Sequence, residues 1–155
     1  MGAMAVNANI GDETVVPVRA EIVTVHNLHA TPIDFGRIAV DDRGLEEGEI
    51  MVVKIDSAGI VTYDEDQGVP GYILSNGKKG VVTGTDCEHL SFNEVVTMSI
   101  PSPGALANSY SNVFCITDNG DATFYGYFTV DPNNSLIPAG NYTGSLTVTE
   151  INPEP

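Results

Sequence analysis

An all-β sandwich of two mainly antiparallel sheets is the fold this sequence predicts, and three observations predict it. Apolar and polar residues alternate with period two over 142–149 and again over 121–130. An Asn-Gly pair at 119–120 separates two strand-like runs. The remaining apolar runs are short and divided by Gly, Asn, Asp, Ser and Pro, the residues that turns require.

Along the chain, strands are expected at 18–25, 33–40, 49–56, 59–63, 71–74, 80–84, 95–100, 111–117, 121–130 and 142–149. Pro17 divides Val15-Val16 from Val18. Because proline has no N–H to give a ladder, the chain there should lie at a sheet edge or pass between sheets. The segment 44–49 is acidic and too short to hold a helix alone. Asp118-Asn119-Gly120-Asp121 supplies the positive φ angles of a tight hairpin turn between 111–117 and 121–130. In the second of these strands Phe124, Gly126, Phe128 and Val130 share one face, and Thr123, Tyr125, Tyr127 and Thr129 share the other. In the last strand Tyr142, Gly144, Leu146 and Val148 point inward beneath an outer ladder of Thr143, Ser145, Thr147 and Thr149. Eight to ten such strands with regular turns predict an immunoglobulin-like β-sandwich, with a barrel as the alternative closure.

Four parts are expected: an expression-vector remnant at 1–4, an N-terminal arm at 5–17, the sandwich at 18–151, and a tail or linker at 152–155. No positively charged start and apolar run is present, so an export signal is expected to have been removed. In the arm, Val6, Ala8 and Ile10 alternate with Asn7, Asn9 and Gly11. That pattern fits either a strand laid along a neighbour's sheet edge or a frayed terminus.

The 155 residues include 16 Gly and 9 Pro, and only 17% are charged, a composition of strands and turns in a single domain. With 21 acidic and 6 basic residues the formal charge is -15, which repels phosphate backbones and anionic membranes and argues against nucleic acid and direct membrane insertion as partners. No apolar stretch approaches the length of a spanning helix. Cys87 and Cys115 are the only cysteines, too few for a zinc site of paired cysteines, which leaves one disulfide or two buried thiols. A bridge would close a loop of roughly thirty residues and stabilise the chain by roughly 3.5 kcal/mol.

Chemistry-bearing groups are sparse. His26 and His29 are spaced i, i+3, which places their rings on opposite faces of a strand, and His89 completes a set of three only if folding gathers them. Three acidic groups offer hard oxygens for calcium, or are simply solvated loops: Asp41, Asp42, Glu46, Glu47 and Glu49; Asp64, Glu65 and Asp66; and Asp118, Asn119 and Asp121. None has the spacing of an EF-hand. Neither a Gly-x-Ser-x-Gly elbow nor a phosphate-cradling loop occurs, so neither an enzyme nor a cofactor is expected. Tyr125 and Tyr127 form a candidate sugar platform, with Tyr63, Tyr72 and Tyr110 as possible contributors; the alternative is that they pair across strands or lie under a partner.

Several segments occur in a familiar order: Ala20-Glu21-Ile22-Val23 through Ile33-Asp34-Phe35-Gly36, then Gly80-Val81-Val82-Thr83-Gly84, Ser99-Ile100-Pro101, and the terminal Pro138-Ala139-Gly140-Asn141-Tyr142-Thr143-Gly144 run leading into alternating Thr and Val. Over roughly 18–151 this order resembles the bacterial surface domains labelled DUF4402, relatives of spore-coat-U and archaic chaperone-usher pilus subunits. The resemblance implies an exported, non-catalytic subunit of a fimbria or other surface structure, reaching the cell surface through the periplasm. It also implies assembly with other copies or envelope proteins by strand addition, with Val6, Ala8 and Ile10 as the donated strand. Glu150-Ile151-Asn152 and a Pro-Glu-Pro tail stand where such subunits carry a closing aromatic. A self-complete module of a larger surface protein, or a secreted module binding carbohydrate or protein, is therefore the alternative.

Overall fold

The computed structural model describes residues 13–24, 29–100, 108–132 and 136–151. The arm residues Val6, Ala8 and Ile10 and the tail lie outside them, as does His26. Twelve strands form two sheets: β1 (Glu13–Thr24), β2 (His29–Thr31), β3 (Ile33–Asp41), β4 (Met51–Ile55), β5 (Val61–Tyr63), β6 (Gly71–Ser75), β7 (Gly80–Thr83), β8 (Leu90–Phe92), β9 (Val95–Thr97), β10 (Asn108–Asp118), β11 (Asp121–Asp131) and β12 (Tyr142–Glu150). One sheet runs β6-β3-β1-β12-β8; the other runs β2-β7-β11-β10-β9, with β4 and β5 branching from β11. Among the described strands all pairs are antiparallel except β1 with β12, which run parallel from Val18↔Tyr142 to Thr24↔Val148. The fold is thus the expected all-β sandwich.

The first strand begins at Glu13, earlier than the expected residue 18, and passes through Pro17. Its ladder explains why. Residues 13–17 pair with β3 alone among the described strands, and pairing to β12 starts only at Val18. Proline therefore occupies a stretch bonded on one side, where its missing N–H interrupts nothing. At Val18/Arg19 the β1–β3 register shifts, a bulge built around Gly36, whose φ is 81°. A Cβ there would stand 2.3 Å from the Ser75 carbonyl oxygen, so only glycine lets β6 approach.

The hairpin of β10 and β11 is the longest ladder, running from Asn108↔Asp131 to Asp118↔Asp121. Asn119 and Gly120 take φ of 52° and 82° at its tip, as the Asn-Gly pair predicts. The opposite edge of β11 is divided between β7, at Ala122 to Phe124, and β4, at Gly126 to Val130. Two strands sharing one edge make this sheet curl. The chain then stitches the sheets together: β8 bonds to β12, β9 bonds to β10, and Ser99 returns to bridge Thr143.

Period-two alternation directs the core as expected. Val18, Ala20 and Ile22 of β1, Phe35 and Ile38 of β3, Phe124, Phe128 and Val130 of β11, and Tyr142, Leu146 and Val148 of β12 are all buried. Aromatic rings join the layers. Phe128 packs 5.9 Å from Phe35 and 5.5 Å from Tyr142, and Phe92 meets Phe124 edge-on at 5.0 Å. Each large side chain so buried stabilises the fold by about 1.5–3 kcal/mol. Among the described residues there are also two single-turn 3-10 helices, η1 (Glu65–Gln67) and η2 (Cys87–His89).

Candidate functional site

Cys87 and Cys115 are joined by a disulfide, with Cα atoms 5.9 Å apart. The bridge ties η2 to β10, and Cys87 N–H donates to Thr117 Oγ1 at 3.0 Å beside it. With both sulfurs engaged, neither cysteine is a free nucleophile or metal thiolate. A disulfide fits a secreted or periplasmic setting. Among the described residues no helix is long and apolar enough to cross a membrane.

Hairpin pairing builds the most distinctive surface. Counting back from the Asn119–Gly120 turn places Phe114 opposite Tyr125 and Asn112 opposite Tyr127. Phe114 and Tyr127 are exposed, while Tyr125 also packs against the core. Phe114 stacks against both tyrosines, at 5.7 Å from Tyr125 and 5.6 Å, edge-on, from Tyr127. Lys54, paired with Tyr127 across β4, holds its ammonium 5.7 Å from that ring and 3.5 Å from Asp64. Phe114 and Tyr127 are 40% and 41% exposed, Tyr125 is half-buried, and Ile116 and Val95 continue the face in the open. The outer face is not solvated throughout, however: Thr123 and Thr129 are buried. Phe114 was missed in the sequence although the turn register alone places it beside the tyrosines.

The other tyrosines do not join this platform as a set. Tyr63 is buried and its hydroxyl donates to the Val69 carbonyl at 2.7 Å. Burial pushes its pKa far up, with the Asp64 and Glu65 charges adding. Tyr72 lies on β6 in the other sheet, and Tyr110 lies on β10 opposite Thr129.

Several of the acidic side chains are engaged, some by their own loops and some by distant segments. Asp64 caps η1, accepting from Asp66 N–H at 3.0 Å and Gln67 Nε2 at 3.2 Å; the Asp66 amide chiefly holds its pKa below the usual value. Asp41 accepts two bonds from the Arg43 guanidinium, at 2.9 and 2.7 Å, which lowers its pKa to about 2. Glu49 accepts from Glu46 N–H, and Asp121 from Gly84 N–H. Asp42 is buried and accepts from Ile137 N–H at 3.0 Å, tying β3 to the segment before β12. His29 lies on β2 opposite Thr83. His89 stands at η2, where Asp86 Oδ1 meets its Nδ1 at 2.6 Å and raises its pKa. Among the described residues no group of three His, Cys, Asp or Glu is placed to hold a metal ion.

Compared with family models, curated proteins and solved structures, the chain matches none.

Proposed function

We propose that this chain is a non-catalytic structural and adhesive module of a bacterial cell-surface structure such as a fimbria, working by contact at its faces and edges. The observation that carries this reading is the Phe114–Tyr125–Tyr127 cluster. Phe114 packs on both tyrosines, and the Phe114 and Tyr127 rings keep apolar area in water, as surfaces that a partner covers do. The disulfide supports passage through an oxidising compartment, and the order of segments resembling pilus-subunit relatives supports the surface destination.

Strand addition is the mode of assembly that the edges favour. Among the described strands β6 pairs with β3 alone, and its sequence, Gly71-Tyr72-Ile73-Leu74-Ser75, carries no charge. The β3–β6 register shifts between Arg37 and Ile38, a bulge that blunts the Leu74 end of the edge, and a partner strand would bond along the Gly71 to Ile73 stretch. A secreted carbohydrate-binding module is the second reading, favoured by the same aromatic rings, which present flat faces to a sugar.

Immunogold labelling of intact cells carrying the gene tests the first reading. Label on the outside of the envelope is expected; label confined to the cytoplasm contradicts it. Sedimentation velocity with and without residues 5–12 tests the arm as strand donor. Concentration-dependent oligomers that vanish on deletion are expected, and oligomers indifferent to the deletion remove the arm from the account.

A further inference from the structure

The chain has only 6 basic residues against 21 acidic ones, yet three of the six gather on the outer face of the β6-β3-β1-β12-β8 sheet. Arg19 of β1 pairs with Asp34, and Arg37 of β3 with Pro17, on either side of the bulge at Gly36. Lys78 bridges Asp34 backbone to backbone, at 2.8 and 2.7 Å, and residues so paired share a face. Arg19 and Arg37 are exposed. Neither guanidinium has a hydrogen-bond or ion-pair partner among the described residues.

The two arginines line one hollow of about 470 Å³ together with Asp34, Asn76, Asn141 and Thr143, a size suited to a small ligand. Arg19 and Thr143 also border a second hollow of about 360 Å³, lined further by Glu21, Ala30 and Pro32. The groove therefore has two compartments that differ in charge: two arginines and Asp34 in the first, and Glu21 beside Arg19 on β1 in the second. Asp34 has one oxygen occupied, since its Oδ1 accepts from Gly36 N–H at 2.8 Å; its other oxygen is left to accept a hydroxyl.

We propose that this groove binds an acidic oligosaccharide, with a sugar carboxylate held by Arg19 and Arg37 and an adjoining uncharged sugar in the second hollow. The guanidinium fork matches a carboxylate in two parallel bonds. Asp34 and the asparagine carbonyls can accept from ring hydroxyls, donors that a bare sulfate does not have, while the asparagine NH2 groups would serve either ligand. Against a molecule of charge -15, an anionic ligand needs a local positive patch, and this is where the chain supplies one. The site lies on the opposite sheet from Phe114 and does not depend on the cell-surface reading.

The test is a chemical-shift titration with an oligosaccharide of alternating uronic acid and N-acetylhexosamine units, repeated with its carboxyl-reduced form and with inorganic sulfate. Shifts centred on Arg19, Arg37 and Thr143 are expected. Affinity should fall about tenfold or more in Arg19→Gln, in Arg37→Gln and with the carboxyl-reduced sugar, an energy of about 1.4 kcal/mol per tenfold. Phe114→Ala should leave it unchanged. No binding, shifts centred on the Phe114 face, equal binding of sulfate, or affinity unaltered in both arginine variants would overturn the proposal. Because both arginines are exposed, unchanged melting temperatures of the variants separate lost binding from lost folding.

Discussion

The hydroxyl of Tyr142 donates to the carbonyl of Pro138, four residues upstream, at 2.5 Å. Its ring is buried against Phe128, and its backbone opens the parallel ladder with Val18. One side chain thus sets where the last strand enters the core and fastens the loop before it. Replacing it with phenylalanine keeps the packing and deletes only the bond, leaving the Pro138 carbonyl without this donor. Tyr142→Phe should lose about 1–2 kcal/mol, read as a lower urea midpoint at unchanged m-value. An unchanged midpoint would show that the bond contributes nothing.

Burial pushes the Tyr142 pKa up to about 12 from 10.0. The folded chain thus resists ionisation that the unfolded chain accepts, so this contribution to stability is complete below pH 10 and lost as pH rises from 10 to about 12. Tyr63 is raised in the same direction, by burial first and then by Asp64. Alkaline titration followed at the phenolate absorbance should show two tyrosines ionising only as circular dichroism reports unfolding. Complete ionisation before any loss of strand signal would contradict the burial of both.

The Cys87–Cys115 bridge spans a sequence separation of 28. The chain-entropy account assigns a loop of that size about 3.5 kcal/mol. Replacing both cysteines with serine should lower the urea midpoint accordingly while strand content persists, because the buried residues of β3, β11 and β12 remain in place. Reductant should reproduce the shift in the native chain and leave the double variant unaffected.

Gly126 sits where β11 passes from β7 to β4, and a Cβ there would lie 1.9 Å from the Asn112 carbonyl oxygen. The clash is with backbone, which no rotamer relieves, and φ is 156°. Gly126→Ala should destabilise by about 2–4 kcal/mol, within the range of disruptive single substitutions. The comparison is Gly44→Ala, where φ is 65° but nothing lies within 4 Å. Only the backbone conformation is strained there, so about 1 kcal/mol is expected. Equal losses at the two positions would refute the close approach of β10 to β11.

The sandwich was readable because alternation is a local signal. Each of β11 and β12 carries its period-two pattern within nine to eleven residues, and Asn119–Gly120 fixes the hairpin by its own φ preference. What could not be read was set by distant partners. The strands β2 and β8 have three residues each, too few for a period to show, and are strands only because Val81 to Thr83 and Val148 to Glu150 bond to them. The extension of β1 through Pro17 depends on β12 starting its pairing at Val18. Tyr125 and Tyr127 were visible as an outward pair, and Phe114 was recoverable from the turn register. Arg19 and Arg37 were not, since the hollow they share depends on the pairing of β1 with β3, residues distant in the chain that no local pattern joins.

The sandwich closes through the pairing of its strands β1 and β12, and the proposed contacts with partners at its faces and edges require that closure. Amide exchange and cross-strand NOEs, measured by NMR at concentrations where the chain is monomeric, test this directly. Slow exchange along 144–148 and contacts linking Ala20 with Gly144 and Ile22 with Leu146 are predicted. Amides of β12 that exchange freely in the monomer and become protected only in oligomers would contradict it.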